Sequence, residues 1–206
     1  IHDIINKQRG GLLSFGFIFT LVLSTNGMSS LMSAFNACYK TVETRGFFKM
    51  RFIATVLIFI LALSVLISVA LLVVGQQLLQ DNKIKEFIQD VISLDLILIL
   101  RFIILYLVFQ VAISSIYYFA PAVHERWHFF SIGSIFSTLA CLAAFFGFSF
   151  YVNNFGTYNK LYGSIGVLLV LMLLLFILSL ILLVGFEMNA ALDKAKFNKL
   201  KEDENN

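Results

Sequence analysis

Five long uncharged stretches, parted by short polar ones, set the pattern of the chain. The cleanest is Ile165 to Phe186, 22 residues with Ser179 as its one polar interruption. As a helix rising 1.5 Å per residue it is about 33 Å long, the thickness of a hydrocarbon core, whereas a soluble helix keeps a polar face. Gly10 to Tyr39 also carries no charge; at about 45 Å it exceeds a bilayer core and must tilt, bend or protrude. Phe52 to Gly75, Phe102 to Ala120 and Ile132 to Val152 complete the set. The pattern predicts an all-α, polytopic transmembrane helical bundle, one domain over 1–206, with spans at about 11–38, 52–75, 102–120, 132–152 and 165–186. Ile84, Phe87, Ile88, Val91 and Ile92 recur at helical spacing among charged residues, which predicts an interfacial helix at about 78–94. Residues 193–206 read as a polar tail.

Composition removes the soluble alternative. Apolar residues make up 60% of the chain and charged ones 13%, against about 45–50% and about 25% in soluble domains. With 23 Phe and one Pro, long unbroken lipid-facing helices suit the chain. The chain lacks the repeated interleaving of aromatic and basic residues that a nucleic-acid surface needs, so no nucleic-acid partner is expected. The net charge of +3 is a matter of topology. Lys40, Arg45, Lys49 and Arg51 stand between the first two spans, and Lys194, Lys196, Lys199 and Lys201 follow the last; positively charged flanks resist translocation, which predicts that both lie in the cytoplasm. Alternating the spans puts Ile1 outside. Because that residue is not a methionine, a sixth span upstream is expected. Cys38 and Cys141 lie in apolar stretches and read as packing thiols.

Chemistry must come from polar groups at membrane depth, where each needs a partner or a water-filled path. Asn26, Ser29, Ser30 and Ser33 recur at i, i+3, i+4 and i+7, one helical face. Asn36 follows them, and Gln110 and Ser114 form a second short stripe, with Tyr117 one turn on. These residues either glue helices through small contacts and hydrogen bonds or line a substrate cavity. Glu187 ends the last span, where an anion opposes the helix dipole; it calls for a basic partner such as Arg45 or Arg51. Glu43, Arg45, Arg51, Glu187 and Asn189 are therefore candidates for a cytoplasmic gate or latch. Gly133, Ser137 and Cys141 step by four and predict close helix packing.

His124, Glu125, Arg126, Trp127 and His128 satisfy H-E-x-x-H. On a helix the two imidazoles would grip zinc and Glu125 would serve as general base. No third ligand can be assigned, and an interfacial loop with Trp127 among headgroups is the better account. No cofactor, metal or catalytic residue is assigned; His124 and His128 are the only metal candidates.

Several runs carry a resemblance. Asn36, Tyr39, Glu43, Arg45, Phe47 and Arg51, the run Tyr117 to Pro121, and Asn154, Phe155, Tyr158, Tyr162, Gly163, Ser164 and Gly166 leading into the last span resemble the YihY/BrkB family of bacterial inner-membrane proteins. Where that family commonly has a tryptophan and a tyrosine, this chain has Leu174 and Phe176. The resemblance implies about six helices and a multi-pass protein of the bacterial inner (plasma) membrane; the lysine tail puts the C-terminus in the cytoplasm, and no enzyme activity is expected, the family's former label "ribonuclease BN" being regarded as a mistake. The expected function is a transporter or a translocator of a lipid or envelope component of unknown substrate. The alternatives are a non-transporting scaffold and, less favoured, a zinc-dependent membrane protease at His124, Glu125 and His128. Expected partners are membrane lipids and a small-molecule or lipid substrate; a homo-oligomer is left open.

Overall fold

In hydrocarbon a chain must satisfy its backbone internally, and for runs this long the α-helix does so within one segment. The computed structural model describes residues 10–80, 94–122, 128–154 and 164–204. These form five helices: α1 (Gly10–Tyr39), α2 (Phe47–Gln80), α3 (Leu94–Phe119), α4 (Ile132–Asn154) and α5 (Ser164–Glu204). All five are long and apolar enough to span a membrane, and there is no strand among the described residues. The all-α membrane bundle expected from the pattern is the one observed. The expected interfacial helix at 78–94 falls almost wholly outside the described residues.

Helix ends differ from the apolar runs in ways that local chemistry explains. α1 ends in a Schellman motif: the Thr41 amide donates to the Asn36 carbonyl at 2.9 Å and the Lys40 amide to the Ala37 carbonyl at 3.1 Å, with Lys40 in the left-handed region at φ 56°. The seam Lys40–Arg51, expected to be loop, is shorter than its charges suggest. α2 begins at Phe47, its first turn closed by the Met50 amide on the Gly46 carbonyl at 3.1 Å, because nothing after Gly46 breaks a helix. α3 starts earlier than expected, at Leu94. α5 continues past its apolar part to Glu204, where no Pro or Gly follows Gly185 and Lys201 in the last turn complements the dipole.

Each helix packs on the next in chain order, and α5 closes the ring against α1. Packing is concentrated at one end. Met28, Met32 and Phe35 of α1, Ala54 and Leu57 of α2, Ile113, Ile116 and Tyr117 of α3, Cys141 of α4 and Phe186 of α5 form one cluster. It lies toward the end that carries the α1–α2 and α3–α4 connections, here called the basic end. At the far end Ser14 to Thr20 of α1 are exposed without exception, as are Phe102 to Ile104, Phe145 to Gly147 and Leu171 to Leu173. Meanwhile Gln110, Ser114, Ser134, Ser137, Thr138 and Asn189 are buried. This inversion, apolar outside and polar inside, is unstable in water and ordinary in lipid.

Candidate functional site

Three polar layers fill the basic half of the ring. The first surrounds an aromatic hub. Phe35 stacks on Phe186 with centroids 4.3 Å apart, and Tyr117 meets both edge-on, at 5.7 and 6.0 Å. The Tyr117 hydroxyl shares a hydrogen bond with Ser137 Oγ at 2.6 Å and donates to the Leu182 carbonyl at 2.7 Å; one side chain thus ties α3 to both α4 and α5. That reach requires α4 and α5 to touch. They cross at Gly133 and Gly185, where a Cβ on Gly133 would lie 2.0 Å from the Gly185 carbonyl oxygen.

The second layer centres on Gln110. Its Nε2 donates to Ser114 Oγ at 3.1 Å and to Ser134 Oγ at 2.9 Å. Ser134 already gives its proton to the Ser131 carbonyl at 2.8 Å, so it can only accept from Gln110, and this fixes the amide orientation. The consequence is an orphan: Gln110 Oε1 is buried with no hydrogen-bond partner among the described residues. A buried carbonyl without a donor is costly and calls for one. Beside it, Asn189 of α5 accepts from the Gly133 amide at 2.8 Å and donates to Ser131 Oγ at 2.7 Å.

The third layer is an ionic knot at the basic end. The Glu43 carboxylate accepts from Arg45 Nε at 2.6 Å, Arg45 Nη2 at 2.7 Å, the Arg45 amide at 3.1 Å and Asn36 Nδ2 at 2.8 Å. Arg45 also donates to the Phe119 and Ala120 carbonyls, at 3.1 and 2.7 Å, which capping requires because α3 stops before Pro121 and its last carbonyls lack helical partners. Asn36 Oδ1 accepts from the Ala122 amide at 2.8 Å. The Tyr39 hydroxyl donates to Asp193 of α5, so the Lys40–Arg51 seam and the lysine-bearing end of α5 share one end of the bundle.

The hydrogen bonds from Arg45 hold the Glu43 carboxyl below the usual carboxylate range, against an opposing push from burial. A depressed carboxylate adds stability that is complete above the unfolded Glu value of about 4.3 and is lost as pH falls through the lower folded value. Thermal unfolding followed across acid pH is expected to show this loss in the protein and a flatter profile in Glu43→Gln. Equal acid sensitivity in both would remove Glu43 from the account.

The residues singled out in the sequence divide. Asn36, Gln110, Ser114 and Asn189 are buried in these layers, and Glu43 and Arg45 form the knot. The stripe Asn26, Ser29, Ser30 and Ser33 does not line the interior. Thr25, Met28, Met32 and Phe35 take the inward face of α1, leaving Asn26, Ser30 and Ser33 exposed and Ser29 half-buried. The hydroxyls of Ser29, Ser30 and Ser33 donate to the carbonyls of Thr25, Asn26 and Ser29. The latch expected from Glu187 to Arg45 or Arg51 is not made either. Phe186 and Asn189 face inward, which rotates Glu187 outward into exposure, while Arg45 pairs with Glu43 and Arg51 binds Asn26. His124, Glu125, Arg126 and Trp127 lie outside the described residues; His128 is exposed. Sequence reading missed Ser131 and Ser134, although their spacing was a signal: they cap α4 reciprocally, each amide donating to the other's hydroxyl at 3.1 and 3.3 Å, a serine version of the capping box.

Fold and site together define a polytopic α-helical membrane protein with polar layers buried in its interior. The sequence profile of the family described as "Virulence factor BrkB" matches residues 1–206, and the chain belongs to that family. It is 31% identical over 196 residues to the "Putative ribonuclease-like protein YfkH" of Bacillus subtilis, covering 95% of this chain and 70% of that protein. Two proteins named "UPF0761 membrane protein" are also similar. That of Tolumonas auensis is 31% identical over 94 residues, covering 46% of this chain and 31% of the relative; that of Kangiella koreensis is 25% identical over 186 residues, covering 90% and 43%. The chain thus spans less than half the length of either of these two. No solved structure matches.

Proposed function

We propose that the chain is the membrane body of a transporter, a translocator of a lipid or other envelope component in the bacterial inner membrane, with the basic end in the cytoplasm. The single observation that carries this reading is the one-ended packing. The basic half is sealed by the Asn36–Glu43–Arg45 knot and the aromatic hub, while among the described residues of the far half few side chains are buried, Ser64, Ser68 and Leu174 among them. A bundle packed more tightly at one end than at the other fits one state of an alternating-access cycle. The orphaned Gln110 Oε1 stands in the sealed half, and a guest hydroxyl or amine would complete it. The orientation follows from the lysines and arginines gathered at one end. No step of this reading is enzymatic.

A non-transporting scaffold is the second reading, favoured by the α1 serines that satisfy themselves on their own helix. The two differ in whether the seal opens. In a variant with Cys38 and Cys141 replaced and Ser114→Cys added, transport predicts modification by a membrane-impermeant thiol reagent, rising about tenfold or more when Arg45→Leu weakens the knot, as expected when a state populated at a few per cent becomes common. A scaffold predicts that Cys at 114 stays inert with and without the knot.

A further inference from the structure

Arg51 stands one turn into α2, and its guanidinium turns sideways onto α1. One terminal nitrogen donates to Asn26 Oδ1 and the other to the Val22 carbonyl, the latter at 3.2 Å. Both acceptors are neutral. Among the described residues no carboxylate pairs with Arg51; Glu43, the acid closest to it in sequence, is taken by Arg45. A guanidinium carries five N–H donors, so three remain after these two bonds. Asn26 spends its oxygen on Arg51, and its Nδ2 donors have no partner among the described residues. The groove therefore gathers a permanent cation and several unused donors, with no anion.

Its surroundings are those of a lipid-facing cleft. Arg51 is half-exposed and Asn26 exposed, and the neighbouring Val22, Leu23, Phe47, Phe48 and Phe52 present apolar surface outward. A cation at such a position needs an anion to be stable. Phosphate oxygens match a guanidinium's planar donors better than those of any other abundant membrane group, and the bilayer supplies phosphate already attached to acyl chains.

We infer that the α1–α2 groove binds an anionic phospholipid, its phosphate held by Arg51 and the Asn26 amide and its acyl chains lying over Val22, Leu23 and Phe52. The site is on the outer flank of the ring, apart from Gln110, and does not depend on translocation. Binding is readable without any transport assay.

The test uses the purified chain, stripped of lipid in detergent and titrated with phosphatidylglycerol or with diacylglycerol, which keeps the acyl chains and lacks the phosphate, under native mass spectrometry. The unaltered protein is expected to retain phosphatidylglycerol about tenfold more tightly, one charge-assisted contact's worth of preference. Arg51→Gln is expected to bring the two lipids to parity, whereas Lys49→Gln, altering an exposed neighbouring cation, leaves the preference in place. Should Arg51→Gln fail to fold, Asn26→Asp serves instead: it supplies an internal carboxylate to the guanidinium and is expected to abolish the preference while the helices stay intact by circular dichroism. Adding inorganic phosphate separates a headgroup site from a bare anion site, since a headgroup site keeps its lipid in millimolar phosphate. The inference is overturned by parity in the unaltered protein, by a preference that survives Arg51→Gln or Asn26→Asp, by equal loss in Lys49→Gln, or by displacement of the lipid with phosphate alone.

Discussion

Gly133→Ala is expected to destabilise the protein by about 3 kcal/mol, at the upper end of what overpacking of a close-packed interior costs. A Cβ there would meet the Gly185 carbonyl oxygen at 2.0 Å and the Asn189 side chain at 2.7 and 2.8 Å. The first contact is backbone, so a rotamer change cannot relieve it and α4 must move off α5. Separation then stretches the bonds that cross the same seam, Asn189 to the Gly133 amide and Tyr117 to Ser137 and Leu182. Gly185→Ala is expected to be somewhat less damaging, because its shortest contact, 1.8 Å, is to the rotatable Ser137 hydroxyl. Gly147→Ala is the control: nothing lies within 4 Å of its added Cβ, and alanine's helix propensity makes a neutral change or a gain of up to about 1 kcal/mol the expectation. Thermal unfolding of the three detergent-solubilised variants checks the order. Equal stability of Gly133→Ala and Gly147→Ala would show that the crossing is not close.

Arg45→Leu carries the second large effect, a loss of about 2–3 kcal/mol. It leaves the Glu43 carboxylate with Asn36 as its one remaining side-chain donor and strips the Phe119 and Ala120 carbonyls of their caps. Breaking a fully buried pair costs more, about 3–5 kcal/mol, but Glu43 is 26% exposed against 12% for Arg45, and water recovers part of the loss. The signature is a double-mutant cycle. Adding Glu43→Gln to Arg45→Leu is expected to restore stability in part, because the uncompensated charge disappears while Asn36 keeps an acceptor. If the two losses simply add, the charge is not the source of the cost.

Much of the fold was legible because the signals were local. Uncharged runs long enough to cross hydrocarbon gave five helices, and the step of four through Gly133, Ser137 and Cys141 marked a face that packs: Gly133 and Ser137 touch Gly185, and Cys141 is buried. The polar positions were read less well. Asn36, Gln110, Ser114 and Asn189 face inward, whereas Asn26, Ser30 and Ser33, which look just as promising as a stripe, face outward. Glu187, at the end of its span, calls for a basic partner, yet one residue's rotation from Phe186 sends it into the surroundings. Arg45 pairs with Glu43, a local pairing that two residues' separation allows and that competes in the sequence with a solvated charge cluster; the distant contacts that give the pair its role, with the ends of α1 and α3, have no signature in spacing.

By itself, then, the sequence determined the medium, the secondary structure and the number of described spans, since these depend on how many apolar residues follow one another and on the cost of leaving backbone groups unpaired in oil. The tertiary structure alone decided which face of each helix turns inward. In water, hydrophobicity tells inside from outside. In a bilayer the lipid tails are as apolar as the core, so leucine and phenylalanine fit either side, and the choice is made by close contact at Gly133 and Gly185 and by hydrogen bonds that need two helices to form.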